Sequence, residues 1–142
     1  EIDWVNDARN IARNDHVVSI NNAMEIDLTG QVCAESIGPY QHSGTGGATD
    51  FAWGAYHSKG GRAILAQTST TKKGTLSRIV PILDPGAIVS VSRNLTDMVV
   101  TEYGVAKLRQ RTVGQRVENL IAVAHPDFRA ELRKAAAKYM YY

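Results

Sequence analysis

One cysteine, Cys33, occurs in the 142 residues. That excludes an internal disulfide framework and leads us to expect a reducing, intracellular setting. A lone cysteine reads as a small apolar core residue rather than a nucleophile. No cluster of lysine and arginine with interleaved aromatics is present, so a nucleic-acid surface is not expected. No apolar run approaches the roughly 18 residues of a membrane helix. The opening EIDWVNDARN is acidic and polar, unlike a signal peptide. Without leader or membrane span, a cytoplasmic location is expected. A starting Met is also lacking, and the expectation is a piece of something longer. The four histidines, His16, His42, His57 and His125, have no metal-like spacing, and no Cys/His cluster suggests zinc. Repeats, low-complexity tracts and internal linkers are absent.

The residues present fit one domain spanning 1–142. The hydrophobic fraction of 44% is enough for one core, and a formal charge of +2 is unremarkable. Asn6-Asp7 can cap a short helix running through Ile11 and Arg13. From Val17 to Leu28, VVSINNAMEIDL alternates apolar and polar residues and predicts one strand. A turn at Asp27–Gly30 leads into a second strand over Gln31–Ile37. GPYQHSGTGG is too rich in glycine for regular structure. A helix is expected from Asp50 to Ser58, with Thr49 or Asp50 at its start and Gly60-Gly61 after its end. RAILAQTS, TLSRIVPIL, AIVSVSR and MVVTEYG are short apolar runs of strand length. Thr112 to Gln115 has capping-box spacing, and Pro126 suits the first position of a closing helix. Strands interspersed with helices indicate the α/β class.

Three stretches could carry chemistry. In SGTGGATDF, three glycines run into a helix start, where backbone N–H groups and the helix dipole favour an anion. The cluster fits a tight turn or a ligand cradle equally. Its spacing is neither a dinucleotide fingerprint nor a P-loop. In QTSTTKKGTLSRIVP, Lys72, Lys73 and Arg78 could meet phosphates at a strand's carboxyl end, or form a solvated loop. In VVTEYGVAKLRQRT, Glu102 could act as a base or nucleophile, or pair with Arg109 or Arg111. His125 reads as a cap or packing residue.

SINNAMEIDLTGQVCAESIG, SGTGGATDF, STTKKGTLSRIVP, VVTEYGVAKLR and IAVAHPDFR occur in that order. Together they resemble the C-terminal domain of the acetyl-CoA hydrolase/transferase family, over about Asp3 to Leu132. Its members include 4-hydroxybutyrate CoA-transferase and acetyl-CoA hydrolase. The resemblance implies a NagB/RpiA/CoA-transferase-like α/β fold, with a central sheet flanked by helices. It implies an enzyme that moves CoA between an acyl-CoA and a small carboxylate, such as acetate or 4-hydroxybutyrate, through a glutamyl-CoA thioester. Coenzyme A is then a substrate, and no permanently bound cofactor is implied. The partners implied are acyl-CoA, small carboxylic acids, the N-terminal domain of the same enzyme and further copies in a homo-oligomer.

The site residues follow from the same resemblance. The N–H of Gly47, with Gly46 beside it, matches an oxyanion-hole donor. Asn21 matches an asparagine near the reacting carboxylate. Lys72 matches a lysine that contacts CoA, and Ser43 and Gly47 also fall where CoA is touched. The nucleophilic glutamate belongs to a segment N-terminal to this domain. Neither Glu25 nor Glu102 matches its position, so an isolated domain is expected to be inactive. Lys73 and Ala48 depart from the residues relatives often carry. A water-using hydrolase and a non-catalytic CoA-binding module remain alternatives.

Overall fold

The structure is a computed structural model and describes residues 1–71 and 73–139. Two short helices open the chain, α1 (Ile2–Val5) and α2 (Ala8–Ile11). The predicted cap is Asp7, whose carboxylate accepts from the Arg9 N–H at 2.8 Å. Hydrogen bonds from Arg9 also hold the Asp7 pKa down to about 2.

The predicted strand over Val17–Leu28 is two strands in different sheets. These are β1 (Val18–Asn21) and β2 (Glu25–Asp27). Between them the Asn22 side chain accepts from the Ala23 N–H at 2.8 Å, a local bond that competes with ladder pairing. Gln31–Ile37 likewise divides, into β3 (Val32–Cys33) and β4 (Ser36–Ile37). β5 (Tyr40–Gln41) pairs with β4 inside the connection expected to be irregular.

After α3 (Ala48–His57), RAILA forms β6 (Arg62–Ala66) as expected. TLSRIVPIL yields only β7 (Ile79–Val80), since Pro81 removes a ladder donor. AIVSVSR forms no strand. It contributes one bridge, Val32 to Val91, and its Ser90 is committed to loop contacts. The Ser90 hydroxyl accepts from the Ala34 N–H, and its carbonyl accepts from the Thr49 hydroxyl. MVVTEYG is β8 (Met98–Thr101) and a tight turn, returning as β9 (Gly104–Lys107). α4 (Val113–Val123) carries the predicted capping box at Thr112 and Gln115. α5 (Pro126–Lys138) has Pro126 in its first turn. His125 is its N-cap and also packs edge-on against Tyr103 and Phe128.

The main sheet has order β1-β6-β8-β9, with β1, β6 and β8 parallel and β9 antiparallel. A smaller sheet has order β3-β2-β7. Ala63, Leu65, Val99 and Ala106 alternate onto one face of the main sheet. There they join Ala52 and Ala55 of α3 and Val117, Leu120 and Ile121 of α4 in the core. Cys33 is fully buried, with Sγ 3.2 Å from the Ser36 carbonyl and hydroxyl oxygens, as expected of a core residue.

α3 is the crossover between β1 and β6. Its last turn is fastened to the amino end of β1. The Ser58 hydroxyl donates to the Asn14 carbonyl at 2.6 Å and accepts from the Val17 N–H at 3.1 Å. The His16 N–H donates to the Lys59 carbonyl at 2.8 Å. Ten helical residues rise about 15 Å and four strand residues about 13 Å. The first turn of α3 therefore returns to the carboxyl edge of the sheet.

Gly54 lets α2 lie against α3. A Cβ there would sit 2.5 Å from Ile11 Cβ and Cγ2. In an open helix, Gly→Ala stabilises by about 1 kcal/mol. Here Gly54→Ala is expected to lower stability by about 1–3 kcal/mol through overpacking. Denaturant unfolding measures the change, and a stability equal to or above that of the parent would contradict it.

Candidate functional site at the carboxyl edge of the sheet

The glycine loop sits over the carboxyl ends of parallel strands, where open α/β sheets bind ligands. Gly46 has φ of 60°, in the left-handed region, and Gly47 is the N-cap of α3. The helix thus begins earlier than the Thr49 or Asp50 start read from sequence. Among the described residues, no protein acceptor takes the backbone N–H of Gly44, Thr45, Gly46, Gly47 or Ala48. A Cβ on Gly47 would lie 2.8 Å from Asn6 Nδ2, so a side chain there needs that flexible amide to swing aside. Gly44 is different. Its φ is outside the left-handed region and a Cβ there would meet nothing within 4 Å. The folded chain has no need of a glycine at 44. A close-approaching ligand would.

Three polar side chains come from the same edge. Asn21 ends β1, is half-buried and donates to the Ser19 hydroxyl at 2.9 Å. Its Oδ1 has no protein partner among the described residues. Gln67 follows β6 directly, and its N–H continues the ladder to the Val100 carbonyl. Gln67 is only 9% exposed, yet among the described residues neither its Oε1 nor its Nε2 has a hydrogen-bond partner. A buried amide left wholly unpaired costs roughly 1–3 kcal/mol and calls for a ligand or water. Sequence reasoning missed Gln67; the available signal was a polar residue closing the apolar run RAILA.

Glu102 is the first residue after β8. Its Oε1 accepts from the Ser69 hydroxyl at 2.6 Å and its Oε2 from the Ser69 N–H at 2.9 Å. Desolvation pushes its pKa up. That is the largest single influence, but the Ser69 bonds, the residue's own backbone N–H and the charge of His125 together outweigh it, and the net position lies below the usual value. The alternative of pairing with Arg109 or Arg111 is not realised: among the described residues neither forms an ion pair with Glu102. Arg109 stacks 4.1 Å over the Tyr56 ring instead.

The other sequence candidates distribute unevenly. Ser43 is exposed, and its hydroxyl donates to the Gly44 carbonyl at 3.1 Å. Lys72 lies outside the described residues. Arg78 donates to the Ala23 carbonyl at 3.2 Å and lines a separate cavity of about 550 Å³ with Glu25, Leu76, Asp84 and Phe128. None of Asn21, Ser43, Gly46, Gly47 or Gln67 lines that cavity. Glu25 Oε1 is buried there without a partner among the described residues, and burial followed by the charge of Asp84 raises the Glu25 pKa. Among the described residues no group of three or more His, Cys, Asp and Glu is placed to hold a metal ion. No described helix is long and apolar enough to cross a membrane.

Both carboxylates give pH tests of opposite sign. Glu102 is depressed, so its bonds to Ser69 stabilise the fold above the unfolded pKa and are lost as pH falls through the folded one. Ser69→Ala should move the Glu102 titration upward, read by NMR of its carboxyl carbon. Glu25 is raised, so its ionisation at neutral pH opposes folding. Glu25→Gln should therefore raise the melting temperature at pH 7, with the advantage vanishing below about pH 4. An advantage that persisted at low pH would contradict this assignment.

The profile of the acetyl-CoA hydrolase/transferase C-terminal domain matches residues 1–136. Succinyl-CoA:cyclohexane-1-carboxylate CoA transferase of Geobacter metallireducens is 56% identical over 137 residues, covering 96% of this chain and 31% of that protein. 4-Hydroxybutyrate coenzyme A transferase of Clostridium kluyveri is 55% identical over 131 residues, covering 92% and 30%. Among solved structures, RipA from Yersinia pestis superposes with a TM-score of 0.92 at 47% identity, covering 99% of this chain and 32% of that one. The chain thus spans about a third of the length of these relatives. By sequence profile, relatives and fold, it belongs to the acetyl-CoA hydrolase/transferase family and is its C-terminal domain.

Proposed function

We propose that this domain supplies the oxyanion-stabilising and CoA-contacting part of a CoA-transferase acting on an acyl-CoA and a small carboxylate. The observation that carries the reading is the shared edge of the glycine loop, Asn21 and Gln67, with backbone donors unspent and a buried amide unpaired. The curated relatives' names, all CoA transferases, favour transfer over hydrolysis. The setting we propose is the cytoplasm, in a homo-oligomer of the complete enzyme.

In this reading the N–H groups of Gly46 and Gly47 receive the oxygen of a thioester as it gains negative charge in the tetrahedral state. Donors held in place before the reaction need no reorganisation, and losing one costs about 10²–10³ in rate. Asn21 turns its free Oδ1 toward the acyl group. Gln67 pairs with a polar group of the ligand. Ser43 and Lys72 contact CoA, the lysine as a point charge for phosphate. The carboxylate that attacks the thioester comes from the part that relatives carry outside this domain. Attack on the thioester carbonyl expels CoA thiolate and leaves an acyl–glutamyl anhydride. The thiolate then attacks the glutamyl carbonyl, releasing the first acid and leaving glutamyl-CoA.

Calorimetric titration of CoA into the chain tests binding. An affinity of about millimolar, roughly −4 kcal/mol, is expected for this part alone. Lys72→Ala should abolish it. For catalysis, the upstream part of the Clostridium kluyveri relative is fused ahead of this chain and transferase activity is assayed. Gly44→Ala should leave stability within about 0.5 kcal/mol and lower kcat/KM by about tenfold or more, because a methyl group intrudes only on the ligand. Unchanged activity would exclude close approach at Gly44.

A further inference from the structure

A mostly parallel sheet is normally covered on both faces by its crossovers. Here α3 and α4 share one face. The register places Val18, Ile20, Ile64, Met98, Val100 and Val105 on the other, with Arg62 beside Val18 and Lys107 beside Met98 at its margins. Val18 is 54% exposed, Ile20 66% and Val105 55%, while Ile64, Met98 and Val100 are half-buried. Ile20, Ile64 and Met98 form one row across three strands. β1 is also an edge strand, paired only with β6 among the described strands. Contiguous apolar surface of this kind marks an interaction site. An edge strand beside it invites a further strand.

We propose that this face is the seat of the polypeptide that precedes this domain in the complete enzyme, which lays apolar side chains over Ile20, Ile64 and Val105. The choice of occupant rests on the family assignment. More than two-thirds of each relative's length lies outside the region this chain matches, and the matched region is the C-terminal domain. A second copy of this chain is the competing occupant. The connection from β6 to β8 brings no helix to cover the face, although β7 lies within it. Among the described residues nothing covers it, so coverage has to come from outside them.

Cys33 is buried, which makes thiol labelling a clean probe. Ile20→Cys and Val105→Cys are made singly, with Glu118→Cys on the outer side of α4 as reference. Each is placed in this chain alone and in the fusion to the upstream part of the Clostridium kluyveri relative. In the chain alone all three thiols should react fast at every concentration. In the fusion, the thiols at 20 and 105 should slow by about tenfold or more while the one at 118 does not. Fast labelling at 20 and 105 in a fusion that retains transferase activity would overturn this proposal and leave the catalytic reading standing. Protection without activity would do the reverse. Slowing in the chain alone with rising concentration, matched by dimer in ultracentrifugation, would assign the face to a second copy. A second variant covers poor expression of the fusion. Ile20→Lys with Val105→Lys should leave the chain folded and less prone to self-association, and unfolding would show that the face serves the chain's own core.

Discussion

The position of everything at the candidate site depends on how α3 is fastened. Ser58 bonds both Asn14 and Val17, and His16 bonds Lys59. These contacts tie the end of the helix to the amino end of β1. A rigid helix fixed at one end has its other end fixed too. The glycine loop is thereby delivered to the edge where Asn21, Gln67 and Glu102 emerge. The small side chains Ala52, Gly54 and Ala55 let the helix lie close to both the sheet and α2. Packing on one side of the domain sets the geometry of chemistry at its end.

The edge is also where the chain leaves polar groups unsatisfied. Loop N–H groups from Gly44 to Ala48 and both side-chain atoms of Gln67 find no protein partner among the described residues. Each such group opposes folding, and a chain under no other demand would pair them. Ser69 and Glu102, a few residues away, are fully committed to each other. The contrast separates polar groups paired within the domain from those left without a partner among the described residues. The orphan oxygen of Glu25 lies elsewhere, in the cavity beside Arg78, where a neighbouring carboxylate makes its charge still less welcome.

Much of the fold was legible where one local rule dominates. The capping box at Thr112, Pro126 at a helix start, the Asp7 cap and the strand RAILA all stand as read. The reading failed where two rules compete. VVSINNAMEIDL alternates throughout, but the Asn22 side chain takes the Ala23 N–H between its halves, which lie in different sheets. AIVSVSR has strand composition, yet Ser90 is drawn into bonds with Ala34 and Thr49. At the site, the glycine loop stood out by its own residues, while Asn21 was named only through the resemblance. Gln67 showed in the sequence only as a polar residue closing RAILA, because its burial without a partner is a property of three dimensions. No sequence pattern marks the uncovered sheet face either, since β1 reads like any half-buried strand.

The most direct test is amide NMR of the chain, with acetyl-CoA titrated in and perturbations mapped residue by residue. The expected result is a cluster of shifts at the backbone of Gly44 to Ala48 and the side-chain amides of Asn21 and Gln67. Residues lining the Glu25–Arg78 cavity, such as Leu76 and Phe128, should stay unmoved. Shifts confined to that cavity, with the glycine loop silent, would contradict the placement of thioester recognition at the carboxyl edge.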